Sequence, residues 1–144
     1  MKLLLILFSV LSVSICSQKL DIKTFTDLQE DMFKLNKQLV DYGAADSHQY
    51  DAIIANISGT YKLALSYYKQ ILEVSFAQKF NAGEKNSTID EQIRIDEWIK
   101  TFEDFKADIY YRQKTLYDAK LKKNTEDVIM VLDKSIKELK KNNC

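Results

Sequence analysis

From Thr88 to Lys123 the chain runs for 36 residues without a glycine or a proline. Within that run Ile95, Trp98, Phe102, Phe105, Ile109, Arg112, Leu116 and Ala119 recur alternately three and four positions apart. That interval places them on one stripe of an α-helix, with charged residues around the rest of the circumference. Such a stripe leaves water only by packing against other helices, so this one segment commits the chain to a helical assembly. The whole sequence agrees. It has no proline and three glycines in 144 residues, so little in it interrupts a helix or makes a tight turn.

Three more segments carry helical spacing. Thr26 and Gln29 have the form of a capping box, and Phe25, Leu28, Met32, Leu35, Leu39 and Tyr42 follow at helical intervals. This predicts a helix over 25–42, stopped by Gly43. Asp46 or Ser47 can cap a second helix over 46–81, whose stripe is Tyr50, Ile54, Ile57, Tyr61, Ala64, Tyr68 and Ile71. Gly59 inside it costs about 1 kcal/mol relative to alanine and marks where a kink is expected. The stretch 81–87 reads as a loop, and Thr88 with Glu91 opens the third helix, expected over 88–123. Asn124 or Thr125 then caps a last helix over 125–141, with Val128, Leu132, Ser135 or Ile136, and Leu139 on one side.

The predicted fold is therefore all-α, an antiparallel bundle of about four helices. Two long central helices (46–81 and 88–123) are flanked by two short ones (25–42 and 125–141). At 1.5 Å per residue the long helices reach about 54 Å and the others about half that. Four segments can then form a bundle at one end, while 65–104 projects as a two-helix hairpin. Folding about the 81–87 loop places Phe102 near Tyr68, Trp98 near Leu72 and Ile109 near Tyr61. The hairpin carries more apolar side chains than one seam can bury. Phe76, Phe80, Ile89, Ile93, Trp98 and Ile99 are accordingly the candidate interaction surface.

Residues 1–17 form a separate unit. Met1-Lys2 is followed by an apolar run from Leu3 to Cys16 and then by small and polar residues, the layout of a secretory signal peptide. The run falls short of the roughly 20 residues that span a bilayer. The expectation is a secreted, extracellular protein with one domain over 18–144 and no transmembrane segment in the mature chain. Val13-Ser14-Ile15-Cys16 also resembles the lipobox of bacterial lipoproteins, with Ile15 where that pattern carries a small residue. That resemblance implies the alternative of a lipidated Cys16. Removal of residues 1–17 leaves Cys144 as the lone cysteine, a candidate for an interchain disulfide. Asn56-Ile57-Ser58 and Asn86-Ser87-Thr88 are N-glycosylation sequons.

Little in the sequence points to chemistry. The 21 basic and 21 acidic residues balance, which disfavours a nucleic-acid binder. His48 is the only histidine, and it has no oriented partner in sequence or metal-ligand spacing. No phosphate loop, nucleophile elbow or Glu-x-x-His pair occurs. The carboxylates of the third helix lie off its apolar stripe, and Arg112, the one charge on that stripe, has Asp108 one turn away to pair with. In Tyr67-Tyr68 and Tyr110-Tyr111, adjacent rings cannot share a face, so one of each pair is expected in the core. The functional expectation is a non-enzymatic protein without cofactor or metal. It would bind another protein or a second copy of itself; the alternative is an extracellular carrier holding an apolar small ligand in the bundle interior.

Overall fold

The computed structural model describes residues 19–45, 51–80, 88–116 and 118–142. Residues 1–17, His48, Asn86 and Cys144 lie outside the described residues, as do the side chains at 88–93, including Ile89 and Ile93. Four helices pack against one another: α1 (Ile22–Ala45), α2 (Asp51–Phe80), α3 (Thr88–Gln113) and α4 (Ala119–Lys141). The bundle expected from the apolar stripes is present, with several boundaries moved.

The first boundary is at α1. Its N-cap is Asp21, whose carboxylate accepts from Lys23 N (3.2 Å) and Thr24 Oγ1 (2.6 Å) and whose carbonyl accepts from Phe25 N. The Thr24 hydroxyl is the main reason the Asp21 carboxyl sits below its ordinary pKa. Thr26, which had looked like a cap, instead turns its hydroxyl back onto Ile22 O (2.8 Å) inside the helix. Gly43 does not stop the helix either. It sits inside α1, where a Cβ would lie 3.1 Å from Ile54 Cδ1, so the missing side chain lets α1 and α2 come close.

The third helix ends ten residues earlier than the 88–123 expectation. After Gln113 the chain makes two tight turns, Thr115 N to Arg112 O and Leu116 N to Gln113 O. Asp118 then takes an extended backbone and caps α4, accepting from Lys120 N (2.8 Å) and Leu121 N (3.0 Å). The buried line of α4 starts at Leu121 and runs through Thr125, Val128, Leu132, Ser135 and Leu139. Asn124 and Thr125, read as caps, are core residues of this helix. The helix lengths become 24, 30, 26 and 23 residues, or about 35–45 Å each. The twofold mismatch that produced a long projecting hairpin is gone. Leu20 N reaches Gln78 Oε1 (3.4 Å), so the start of α1 lies beside the last turns of α2.

Cross-helix pairs give the topology. Asn36 with Ser58 and Leu20 with Gln78 run in opposite senses along α1 and α2. Thr60 with Asp108 and Tyr68 with Phe102 do the same for α2 and α3. Lys106 with Asp133 and Glu103 with Lys140 do so for α3 and α4. Each helix packs on two neighbours, and α4 closes the ring on α1. This is an up-and-down four-helix bundle. The expected Tyr68–Phe102 pair has its ring centroids 5.1 Å apart in the core.

Two tyrosines cross the ring. Tyr61 OH donates to Asn124 Oδ1 (2.8 Å), and Asn124 Nδ2 donates onward to Leu35 O (3.0 Å) and Gln38 Oε1 (2.9 Å). Ser135 Oγ gives its proton to Val131 O (2.8 Å), so Tyr68 OH is the donor in its bond to Ser135. Burial pushes both phenols well above the ordinary tyrosine value; the charge of Asp127 adds to the effect at Tyr61, and the Ser135 hydrogen bond opposes it at Tyr68.

Two predictions follow from this packing. Gly59 lies within the uninterrupted α2, and a Cβ there meets nothing within 4 Å. Gly59→Ala should therefore stabilise the protein by about 1 kcal/mol in denaturant unfolding, and a loss of stability would contradict an unbroken helix at this point. The second concerns alkali. Both phenols are neutral in the fold, whereas the unfolded chain ionises them near pH 10, so their contribution is complete below about pH 10 and is lost as pH rises above it. Ultraviolet titration should find Tyr61 and Tyr68 ionising together with the loss of helical circular dichroism. Ionisation of all eight tyrosines ahead of that loss would refute the assignment.

Candidate interaction surface

Helix α2 turns its core side, Ile57, Tyr61, Ala64, Tyr68 and Ile71, into the bundle. The Ser58 Oγ to Asn36 Oδ1 bond (2.9 Å) marks the flank of α2 that meets α1. Phe76 lies 18 residues beyond Ser58, which is about five full turns, so it stands on the same flank at the far end of the helix. Leu65 and Leu72 sit between them, half-buried. On α1, Phe33 and Val40 lie on either side of Asn36 and lean outward from the same seam. Phe33 is 61 % exposed and Phe80 79 %, with Val40 and Phe76 close to half exposed. The outer α1–α2 seam thus carries exposed apolar side chains at both ends, Phe33 and Val40 near Ser58 and Phe76 and Phe80 near the start of α1, with half-buried Leu65 and Leu72 between. Leu63 and Met130 are exposed singly elsewhere, which is ordinary.

The six residues proposed from sequence divide. Phe76 and Phe80 are on the surface. Trp98 (4 % exposed) and Ile99 belong to the buried core, because α4 and α2 cover the middle of α3 that had been expected to project. The Ile89 and Ile93 side chains are outside the described residues. Phe33 and Val40 were missed. They directly follow the core residues Met32 and Leu39 on α1, and only the position of α2 beside α1 gives them common company.

The seam between α2 and α3 is different in kind. An open groove of about 700 Å³ lies along it, with Trp98, Tyr67 and Val74 beneath and Glu73, Arg94, Glu97 and Asp104 around the mouth. The Tyr67 ring stacks edge-on against Phe102 and Phe105. Above the groove, Thr60 Oγ1 donates to Asp108 Oδ2 (2.8 Å), and Arg112 Nε donates to both Asp108 oxygens (3.1 and 3.0 Å). Arg112 is therefore anchored by the acid one turn before it, as its place on the stripe required.

The tyrosine pairs behave unequally. Tyr68 is core and Tyr67 half-buried, as expected, but Tyr110 and Tyr111 are both exposed, Tyr111 at 72 %. Ile109 takes the core position there. Asn56 is exposed on α2, whereas Ser58, the third residue of its sequon, is buried against Asn36. Among the described residues no helix is long and apolar enough to cross a membrane, and no group of three His, Cys, Asp or Glu side chains converges as metal ligands. No protein-family model, characterised protein or solved structure gives a significant match to the chain.

Burial separates two substitutions that looked alike in sequence. Trp98→Ala should cost about 3–5 kcal/mol, read as a lower denaturation midpoint. Phe80→Glu should leave helix content and midpoint almost unchanged, within about 0.5 kcal/mol. Equal effects would mean that Phe80 is covered in solution.

Proposed function

We propose that this is a small secreted, non-enzymatic helical protein that acts by binding another polypeptide, foreign or a second copy, through the outer α1–α2 seam. The reading of secretion rests on the layout of residues 1–17, and glycosylation at Asn86 and Asn56 on the two sequons. The observation that carries the binding reading is the exposure of Phe33, Val40, Phe76 and Phe80. Exposed apolar residues at both ends of one seam, on a bundle whose core is already filled by Tyr61, Tyr68, Phe102 and their neighbours, are an uncompensated exposure, and such residues commonly serve as contact surfaces.

The carrier alternative draws on the α2–α3 groove, whose volume of about 700 Å³ falls in the usual range for small-molecule sites. Its mouth is charged, and the bundle interior is occupied by aromatic side chains, so an apolar ligand is the lesser reading.

Native mass spectrometry of protein collected gently from secreting cells tests both. The chain should begin at Ser17 or Gln18 and carry a second polypeptide, which is lost when Phe76 and Phe80 are both replaced by glutamate. A bare monomer mass in wild type and variant alike would sink the binding reading. A bound small molecule that survives the double replacement would favour the carrier.

A further inference from the structure

The charges beside the α1–α2 seam are regularly spaced. On α2, Lys62, Lys69 and Phe76 stand seven residues apart and are exposed along one line. On the outermost line of α3, Glu97, Asp104 and Tyr111 stand seven residues apart and are also exposed. Read from N- to C-terminus both lines run charge, charge, aromatic, with opposite signs. A second α3 line repeats the pattern as Asp96, Glu103 and Tyr110, its Glu103 held by Lys140 at 3.5 Å. Among the described residues no ion pair involves Lys62, Lys69, Glu97 or Asp104. The two lines cannot satisfy each other within one chain. Helices α2 and α3 are antiparallel neighbours, and Lys62 and Lys69 lean toward α1, away from α3.

We propose that the bound polypeptide is a second copy of this chain, docked head to tail, with its α3 lying parallel to α2 along the α1–α2 seam. In that register Glu97 of one copy faces Lys62 of the next near Phe33, Asp104 faces Lys69, and Tyr111 meets Phe76 beside Phe80. Both lines advance by about 10 Å per seven-residue step, so all three pairs form together. The arrangement is the parallel-helix logic by which flanking charges of opposite sign set register while apolar side chains supply adhesion. It rests on the binding reading above and adds the identity and orientation of the partner. Because the two patches differ, each copy keeps one of each kind free, and association extends beyond a dimer unless a ring closes.

Sedimentation velocity of the purified protein, in reductant so that Cys144 cannot bridge, tests this. Average mass should rise with concentration past that of a dimer and fall as salt is added. Lys69→Glu alone and Asp104→Lys alone should each weaken association about tenfold or more by opposing like charges. The two single variants, mixed, should associate again, and so should a chain carrying both changes. All four residues are exposed, so each variant should keep its helical circular dichroism. A closed dimer, or assembly indifferent to both charge reversals, would overturn the head-to-tail register while leaving the α1–α2 seam open to another protein. Monomer at every concentration would overturn the second copy as partner, and the double glutamate replacement at Phe76 and Phe80 would then decide separately whether the seam binds anything.

Discussion

Two phenol hydroxyls crossing the bundle do what an apolar stripe alone cannot. Helices α2 and α4 are diagonal and their backbones do not meet, yet Tyr61 reaches Asn124 and Tyr68 reaches Ser135 through the core. An apolar stripe repeats every seven residues, so a helix that slid by one heptad would still bury oily side chains. The hydrogen bonds do not repeat. A slid α4 would bury the Asn124 amide without the Leu35 carbonyl, the Gln38 amide and the Tyr61 hydroxyl, and each stranded polar group costs about 1–3 kcal/mol. That penalty is large beside the 5–15 kcal/mol by which a domain is typically stable. The polar braces thus select one register from several the stripes would accept. Their own cost is small only because every group in the Tyr61–Asn124 set finds a partner.

The same braces explain where the sequence was legible and where it misled. Helical spacing located α1, α2 and α3 as far as Gln113, and the antiparallel packing expected of α2 and α3 was enough to bring Phe102 to Tyr68. The error lay at the junction of α3 and α4. Arg112, Leu116 and Ala119 continued the stripe in phase, and no glycine or proline interrupted it. The break is made by Asp118, a side-chain cap, which competes with helix continuation through its own hydrogen bonds. Beyond it Asn124 and Thr125 resembled caps because they are polar, when they are polar for the sake of the core. A sequence pattern that treats burial as apolarity has no way to place them. The same junction controlled the inferred shape, since moving it by ten residues lengthens the fourth helix and shortens the third.

The candidate surface was partly legible for a related reason. Phe76 and Phe80 stand out because they exceed what the α2 stripe needs, and that surplus is visible in one helix. Phe33 and Val40 are also surplus on α1, but a single off-stripe phenylalanine or valine is common on any helix. Their significance is a property of two helices side by side. Trp98 was misassigned in the opposite direction. It lies on its own stripe, and only the inferred overhang made it seem uncovered; with α4 extending from Ala119 to Lys141 it is a core residue that happens to form the base of a groove.

Zero net charge can mean an even scatter or two opposed lines, and the distinction matters for what the surface does. An even scatter would be expected to form local pairs one turn apart, as Lys123 does with Asp127 and Arg112 with Asp108. The Asp127 carboxylate even holds the Lys123 ammonium above its ordinary pKa, so local pairing is available to this chain where the spacing permits. Lys62 and Lys69 have no acid one turn away on α2 in either direction except the far side of Lys69, where Glu73 faces the groove. Glu97 and Asp104 have Lys100 between them on the same ridge, leaving that ridge acidic overall. Exposed charges of this kind are individually weak, about 0–1 kcal/mol per pair. In the proposed assembly they would contribute direction to the encounter, and the phenylalanines and tyrosines beside them most of the adhesion. A surface with both properties in matching seven-residue steps is selective in a way that a bare apolar strip is not, because a partner must meet the aromatic end and the charged end at once.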